Sequence, residues 1–252
     1  MKLTKNWIVG FVDGHGQFGI EKTQIDCFYF AVCQDKRSLS VLYAIKTFFK
    51  CGSVHKLGKN TMQYKVTSKK HLTEIIIPFF EKNPLITTKR DKFNQMAQQC
   101  LQSIEKPRPV NGQNQIIGLT SEWLLGFIDA KACFVCSQNH KHFIPQMIIG
   151  LHPKDKATLD TIQSFLAYGI RYTHEDKTEI FQVSSQSDLY DFVTNYLLTK
   201  GSKDRLRTQK RITARKWAKL ILYLQTKQHL LPEGFEKACQ KYNLFKQSKH
   251  KI

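Results

Sequence analysis

The stretch GFVDGHGQFGIE begins at Gly10, and GFIDAKACFVCS begins at Gly126. A tryptophan stands three residues before each, at Trp7 and Trp123. Read leftwards, LTKNWIVGFVD from Leu3 matches LTSEWLLGFID from Leu119 at Leu, Thr, Trp, Gly, Phe and Asp, with a constant offset of 116 (Trp123 minus Trp7). Coincidence at that density marks an internal duplication. Read rightwards, the offset becomes 117 and pairs Leu42 with Leu159, Ile45 with Ile162, Phe48 with Phe165, Gly52 with Gly169, Val66 with Val183 and Leu72 with Leu189. LITTKR from Leu85 then answers LRTQKR from Leu206 at an offset of 121. Two repeats are expected, residues 1–105 and 118–252. The segment 106–117 is the expected linker, because EKPRPVNGQNQ makes a poor helix and a poor strand.

Lys plus Arg number 39 against 20 for Asp plus Glu, a formal charge of +19 that favours a polyanionic partner, nucleic acid first. A membrane is not expected: IIIPFF and KLILYL are too short to span a bilayer, and no basic helix has a clean lipid face. Apolar residues at 41% and aromatics at 12% are enough for packed cores, which places the charge on a folded body. The polar MKLTKN running straight into the first motif predicts no secretory leader. Seven irregularly spaced cysteines fit a reducing compartment better than a disulfide framework.

Each half reads as helix, strand pair, helix, strand pair, helix. Thr4 is the candidate N-cap of an apolar helix that small residues Gly14 and Gly16 close. QFGIEKT and CFYFAVC have the composition of a hairpin. SLSVLYAIKTFFKCG aligns Leu39, Leu42, Ile45 and Phe49 on one helical face and stops at Gly52. A second hairpin turns near Gly58, and Pro78 is expected to break or kink the helix in KHLTEIIIPFFEKN.

With both motifs in view, the chain resembles a single-chain, two-repeat LAGLIDADG homing endonuclease. IVGFVDGHG (Ile8 to Gly16) and LLGFIDAKA (Leu124 to Ala132) align with the family's nine-residue motif, and HPKD at His152, PFFEKN at Pro78 and LPEGFEK at Leu231 match phrases common in its organellar intron members. The resemblance implies an α+β fold of two pseudo-twofold-related αββαββα repeats, a monomer with an internal pseudo-dimer. Its motif helices would pack at the centre through Gly10 and Gly126, with Asp13 and Asp129 beside them. Two antiparallel sheets would form a concave saddle that reads base edges in the major groove. The candidate readers are Gln17, Lys22, Gln24, His55, Lys56, Lys59, Gln63 and Lys65 in the first half. In the second they are Ser137, Gln138, His140, Lys141, Arg171, Tyr172 and Gln182. Lys89 and Lys210, in the paired TKR and QKR segments, match basic residues that the family places near the scissile phosphates, and Arg90 and Arg211 beside them are further candidates for nucleic-acid binding.

In the family an acid at the eighth motif place of each repeat binds the divalent cations that cut the phosphodiester. Here that place holds His15 and Lys131, and the ninth place of the second motif is Ala132. Asp13 and Asp129, two places earlier, point about 200° away around the helix and are poor replacements. A lysine ammonium about 4 Å from a divalent ion would be repelled by about 8 kcal/mol at an effective dielectric of 20. No metal site and no cofactor are expected, Mg²⁺ entering only if the chain is an active nuclease. His and Lys at a helix C-terminus are favoured by its dipole, and Lys131 can neutralise a phosphate.

CFVC at Cys133 and Cys136 has zinc-like spacing without a second pair and reads as strand. KDRLRTQKRITARKWAKL, with Arg205 and Arg207, is a basic run expected to contact phosphate or RNA. Trp7 and Trp123 are expected in the core, and the tail KYNLFKQSKHKI can follow a nucleic-acid backbone. The sequence thus predicts a catalytically inactive nucleic-acid-binding protein, RNA favoured slightly over double-stranded DNA, acting as an intron maturase or a structural part of a larger ribonucleoprotein. The alternative is an active metal-dependent site-specific DNA endonuclease. The resemblance alone implies a mitochondrial or chloroplast location.

Overall fold

The computed structural model describes residues 2–21, 27–104, 107–110, 118–140, 142–198 and 205–250. They form two compact units, Met1–Ala130 and Lys131–Ile252, so nearly all of the second motif helix packs with the first unit.

In the first unit, α1 (Lys5–His15) opens on Thr4, whose hydroxyl accepts from the Trp7 N–H. Strands β1 (Gly16–Ile20) and β2 (Phe28–Asp35) follow, then α2 (Leu39–Phe49), β3 (Ser53–Lys56) and β4 (Thr61–Val66). The antiparallel sheet has the order β1-β2-β4-β3. α2 buries Val41, Leu42, Ile45 and Phe49 and ends at Phe49, three residues before the expected Gly52, with Lys50 taking the left-handed conformation at φ 55°. α3 (Lys69–His71) runs through a π-helical turn at Leu72–Ile76 into α4 (Ile77–Lys82). Pro78 therefore does not break this helix: the turn widens just ahead of it, where the Ile77 N–H reaches back to the Leu72 carbonyl. α5 (Lys89–Gln102) and α6 (Ser121–Lys131) complete the helices.

Phe18, Phe30, Phe80 and Phe93 stack and edge-pack at centroid distances of 5.0 to 5.7 Å under the first sheet. In the segment expected as a linker, Arg108 donates to both carboxylate oxygens of the buried Glu81, at 2.8 and 3.0 Å.

The second unit repeats the order with β5 (Cys133–Asn139), β6 (His142–Leu151), α7 (Lys156–Leu166), β7 (Ile170–Thr173) and β8 (Glu179–Val183), sheet order β5-β6-β8-β7. α8 (Gln186–Phe192) continues into a π-helical turn at Val193–Leu197, followed by α9 (Lys210–Gln225) and α10 (Pro232–His250). Its core centres on Trp217, which packs 4.9 Å from Phe134 and donates its indole N–H to the Val135 carbonyl at 2.8 Å. Cys133 and Cys136 are strand residues of β5. The observed fold is α+β with two repeats of one topology.

Candidate nucleic-acid interface

α1 and α6 meet where neither helix has a side chain. A Cβ on Gly10 would lie 2.0 Å from the Trp123 carbonyl oxygen, and one on Gly126 would lie 2.1 Å from that of Trp7. Only glycine permits this approach at both crossings. Trp7 and Trp123 are buried beside it, each stacked on the phenylalanine four residues on, Phe11 at 4.6 Å and Phe127 at 4.7 Å.

The close packing consumes the one carboxylate near the foot of α1. Asp13 is buried and accepts from the Ile86 and Thr87 backbone N–H groups, the Thr87 hydroxyl at 2.7 Å and the Trp123 indole N–H at 2.9 Å. Burial pushes its carboxyl above the ordinary value, against the pull of the Thr87, Ile86 and Trp123 donors. Asp13 thereby holds the loop that leads into α5, where Lys89 places its ammonium 3.3 Å from the Val12 carbonyl at the end of α1. Asp129 is equally buried.

His15 is the last residue of α1, and its ring stacks on Phe11 at 5.9 Å. Its Nε2 lies 2.8 Å from the Ala130 carbonyl oxygen. A carbonyl can only accept, so Nε2 carries the proton and is spent as a base or a metal ligand. Lys131 is exposed at the end of α6. A cleft of about 520 Å³ opens at this foot of α1, its ionisable lining being His15, Lys89 and Lys92. Gln17 and Tyr29 complete its polar wall, and it contains no acid. The donor set does not fit a hard divalent cation, which needs several oxygen ligands. Among the described residues no three His, Cys, Asp or Glu side chains converge elsewhere.

Both sheets have one face on their unit's core and one turned away from it. In the first unit Phe30, Val32, Tyr64 and Val66 face the core. The opposite face carries the cross-strand row Gln17, Ala31, Lys65, Ser53 and, beside it, the row Cys33, Gln63, His55. Lys65 is ion-paired with Glu21, whose carboxyl it holds below the ordinary value, and lies 5.1 Å over the Tyr29 ring. Gln63 is less open than expected: its amide bridges His55 at 3.1 Å and the Cys33 thiol at 3.2 Å.

In the second unit Phe134, Met147, Ile149, Phe181 and Val183 face the core. The opposite face carries the row Cys133, Ile148, Gln182, Ile170 and the row Gly150, Ile180, Tyr172, with Val135 and Ser137 along β5.

Three expected readers stand elsewhere. Arg171 pairs with Phe181 across the ladder and so shares the core face, where it forms ion pairs with Asp160 and Glu179. Strand alternation puts Gln138 on the same face as Phe134, and its amide reaches the His140 carbonyl and Cys239 of α10. Lys56 opposes Met62 and is out of phase with His55. In each case a residue type suited to nucleic acid stands at the wrong pleat parity for the open face.

Lys59 is exposed in the β3–β4 turn, and His140 sits in the β5–β6 turn at φ 49°. Lys22, Gln24 and Lys141 lie outside the described residues. Arg90 is on the first turn of α5, Arg205 and Arg207 precede α9, and Lys210 and Arg211 open it. Lys92, Tyr29 and Ser53 were not foreseen. The i, i+3 spacing from Lys89 and the period of two along β2 and β3 were the available signals.

The two sequence repeats, each running in the order αββαββα from a glycine-bearing motif helix, define a homing-endonuclease scaffold. A model of the LAGLIDADG endonuclease family matches residues 8–100 and 124–221. The chain belongs to that family. It is 28% identical over 230 residues to a Schizosaccharomyces pombe protein described as "Probable intron-encoded endonuclease Cox1-I1b", an alignment covering 79% of this chain and 56% of that protein. Among solved structures it resembles the I-SmaMI LAGLIDADG homing endonuclease bound to cleaved DNA, with a TM-score of 0.75, 24% identity and coverage of 95% and 96% of the two chains. It also resembles I-GzeII in complex with its DNA target, with a TM-score of 0.76, 21% identity and coverage of 95% and 97%.

Proposed function

We propose that the chain binds nucleic acid without hydrolysing it, and that double-stranded DNA is the ligand of its open sheet faces. One observation carries the loss of hydrolysis: the cleft at the foot of α1 holds His15, Lys89 and Lys92 and no acid. The nearest motif carboxylate, Asp13, is committed to five hydrogen bonds. Such a cleft attracts a phosphate and repels the cations that would activate water on it. His15 does not substitute as a base through Nε2, which is engaged by Ala130.

DNA is favoured over the RNA expected from the sequence because a β-ribbon fits the wide major groove of B-DNA, whereas the A-form major groove is too deep and narrow to be read. The DNA complexes of I-SmaMI and I-GzeII support the same choice. A second reading, an RNA-binding maturase or ribonucleoprotein component, is supported by α9. That helix buries Thr213, Trp217 and Leu220 and leaves Arg211, Arg215 and Lys219 exposed at i, i+4 and i+8, a cationic stripe on the side away from its packed face. The names of the intron-encoded relatives support an organellar location and, as the rival to lost hydrolysis, an active endonuclease.

The test is incubation of the purified chain with random duplex DNA and with structured RNA pools, with and without Mg²⁺ or Mn²⁺. Retention of duplexes with no broken strands is expected. Site-specific cleavage that His15→Ala or Lys131→Ala abolishes would refute the reading.

A further inference from the structure

Paired through the sequence offsets of 116 and 117, the two open faces differ in chemistry. Gln17 corresponds to Cys133, Ala31 to Ile148, Lys65 to Gln182, Ser53 to Ile170, Gln63 to Ile180 and His55 to Tyr172. The first face is polar and carries a lysine. The second carries three isoleucines at these places and a fourth, Ile144, opposite Ser137. Ile170 is 54% and Ile144 43% exposed, so this is not a core that happens to lie near the surface. The only Lys or Arg in β5 to β8 is Arg171, and it is on the core face in ion pairs.

Gln182 stands in the middle of the isoleucine row, between Ile148 and Ile170. The Tyr172 hydroxyl donates to its Oε1 at 3.0 Å. With the hydroxyl as donor, Oε1 keeps a second lone pair and Nε2 is left to donate elsewhere. Adenine presents N7 and N6–H₂ in the major groove, the pair that a glutamine amide matches, and thymine presents a C5-methyl group that only apolar contact recognises.

We propose that the open face of the second repeat is a reader of A·T base pairs, with Ile148, Ile170 and Ile180 taking thymine methyl groups and Gln182 taking adenine. The proposal rests on the duplex-binding reading above. It makes the second repeat a sensor of the one major-groove group that separates DNA from RNA, since uracil lacks the methyl.

The experiment begins with selection from a random double-stranded DNA pool by the full-length chain in the absence of divalent cations. 5-Iododeoxyuridine crosslinking and peptide mapping then identify the half-site that touches β6 to β8. That half is expected to be enriched in A·T. Replacing its thymines by deoxyuridine removes only methyl groups and is expected to weaken binding about tenfold, while the same change in the other half costs less than about twofold. Ile170→Ser with Ile180→Gln, which installs the first repeat's residues at exposed or half-exposed places, is expected to shrink the deoxyuridine effect to the part that Ile148 supplies, without changing the unfolding midpoint.

A selected duplex whose deoxyuridine form binds equally well overturns the proposal and leaves the duplex-binding reading standing. Failure to select any duplex overturns both. A concentration-dependent dimer that the double variant dissolves would assign the isoleucines to a second copy and overturn it as well.

Discussion

The two sheets share strand order and ladder register, yet only the first has a lysine among the strand residues of the face turned from its core. The core faces did not diverge in the same way. Phe30 and Met147, Val32 and Ile149, Tyr64 and Phe181, and Val66 and Val183 are all large and buried. After a duplication, packing density holds the inward residues to apolar volume, while outward residues answer only to a ligand. The same contrast holds at the motif helices. Gly10 and Gly126 remain because backbone meets backbone there, while the eighth motif place has become His15 in one copy and Lys131 in the other.

The strongest challenge to this equivalence is at the helix crossing. Gly10→Ala and Gly126→Ala each set a methyl about 2 Å from a carbonyl oxygen. Each should cost about 3 kcal/mol or more, because the helices must separate. Urea denaturation of the two variants should give matching losses, and one variant with wild-type stability would show that its crossing is not so close.

The tryptophans should behave unequally. Trp123 donates to Asp13, whereas the Trp7 indole N–H has no acceptor among the described residues. Trp123→Phe should therefore lose about 1–3 kcal/mol more than Trp7→Phe, the cost of a missing donor to a buried carboxylate. Equal melting shifts would contradict the asymmetry.

The smallest effect belongs to the sheets. Lys65→Gln should lower the slope of log affinity against log salt for duplex binding by about 1, and Gln182→Lys should raise it by about 1. A salt titration of both variants measures the exchange, and unchanged slopes would show that Lys65 neutralises no phosphate.

Much of this is legible in the sequence. Trp7 and Trp123, Gly10 and Gly126, and the offset pairs down to Leu72 and Leu189 carry the duplication in plain text, and apolar periodicity places α2 and α7. The structure added that Pro78 is accommodated by a widened turn, and that α2 closes on Lys50 in the left-handed region. Neither is a matter of local propensity, since both depend on the helix being held by its neighbours.

The site was legible in its residue types and less so in its aim. His15 and Lys131 announced the missing acids by position alone. Arg171 and Gln138 could not be placed, because one step of strand register exchanges an outward-facing residue for a core-facing one and no residue type records that step. Asp13 is the clearest case. Its place in the motif is plain from the text, but its use is to bind the loop at Ile86 and Thr87, more than seventy residues on, and so to set Lys89 beside α1.

The chain's order of residues settled the duplication, the basic charge and the absence of acids at the eighth motif places, because these are matters of covalent identity. Folding settled which side chains share a surface, because pleat parity and the packing of distant segments are cooperative. The isoleucine face of the second repeat exists only where four strands lie side by side.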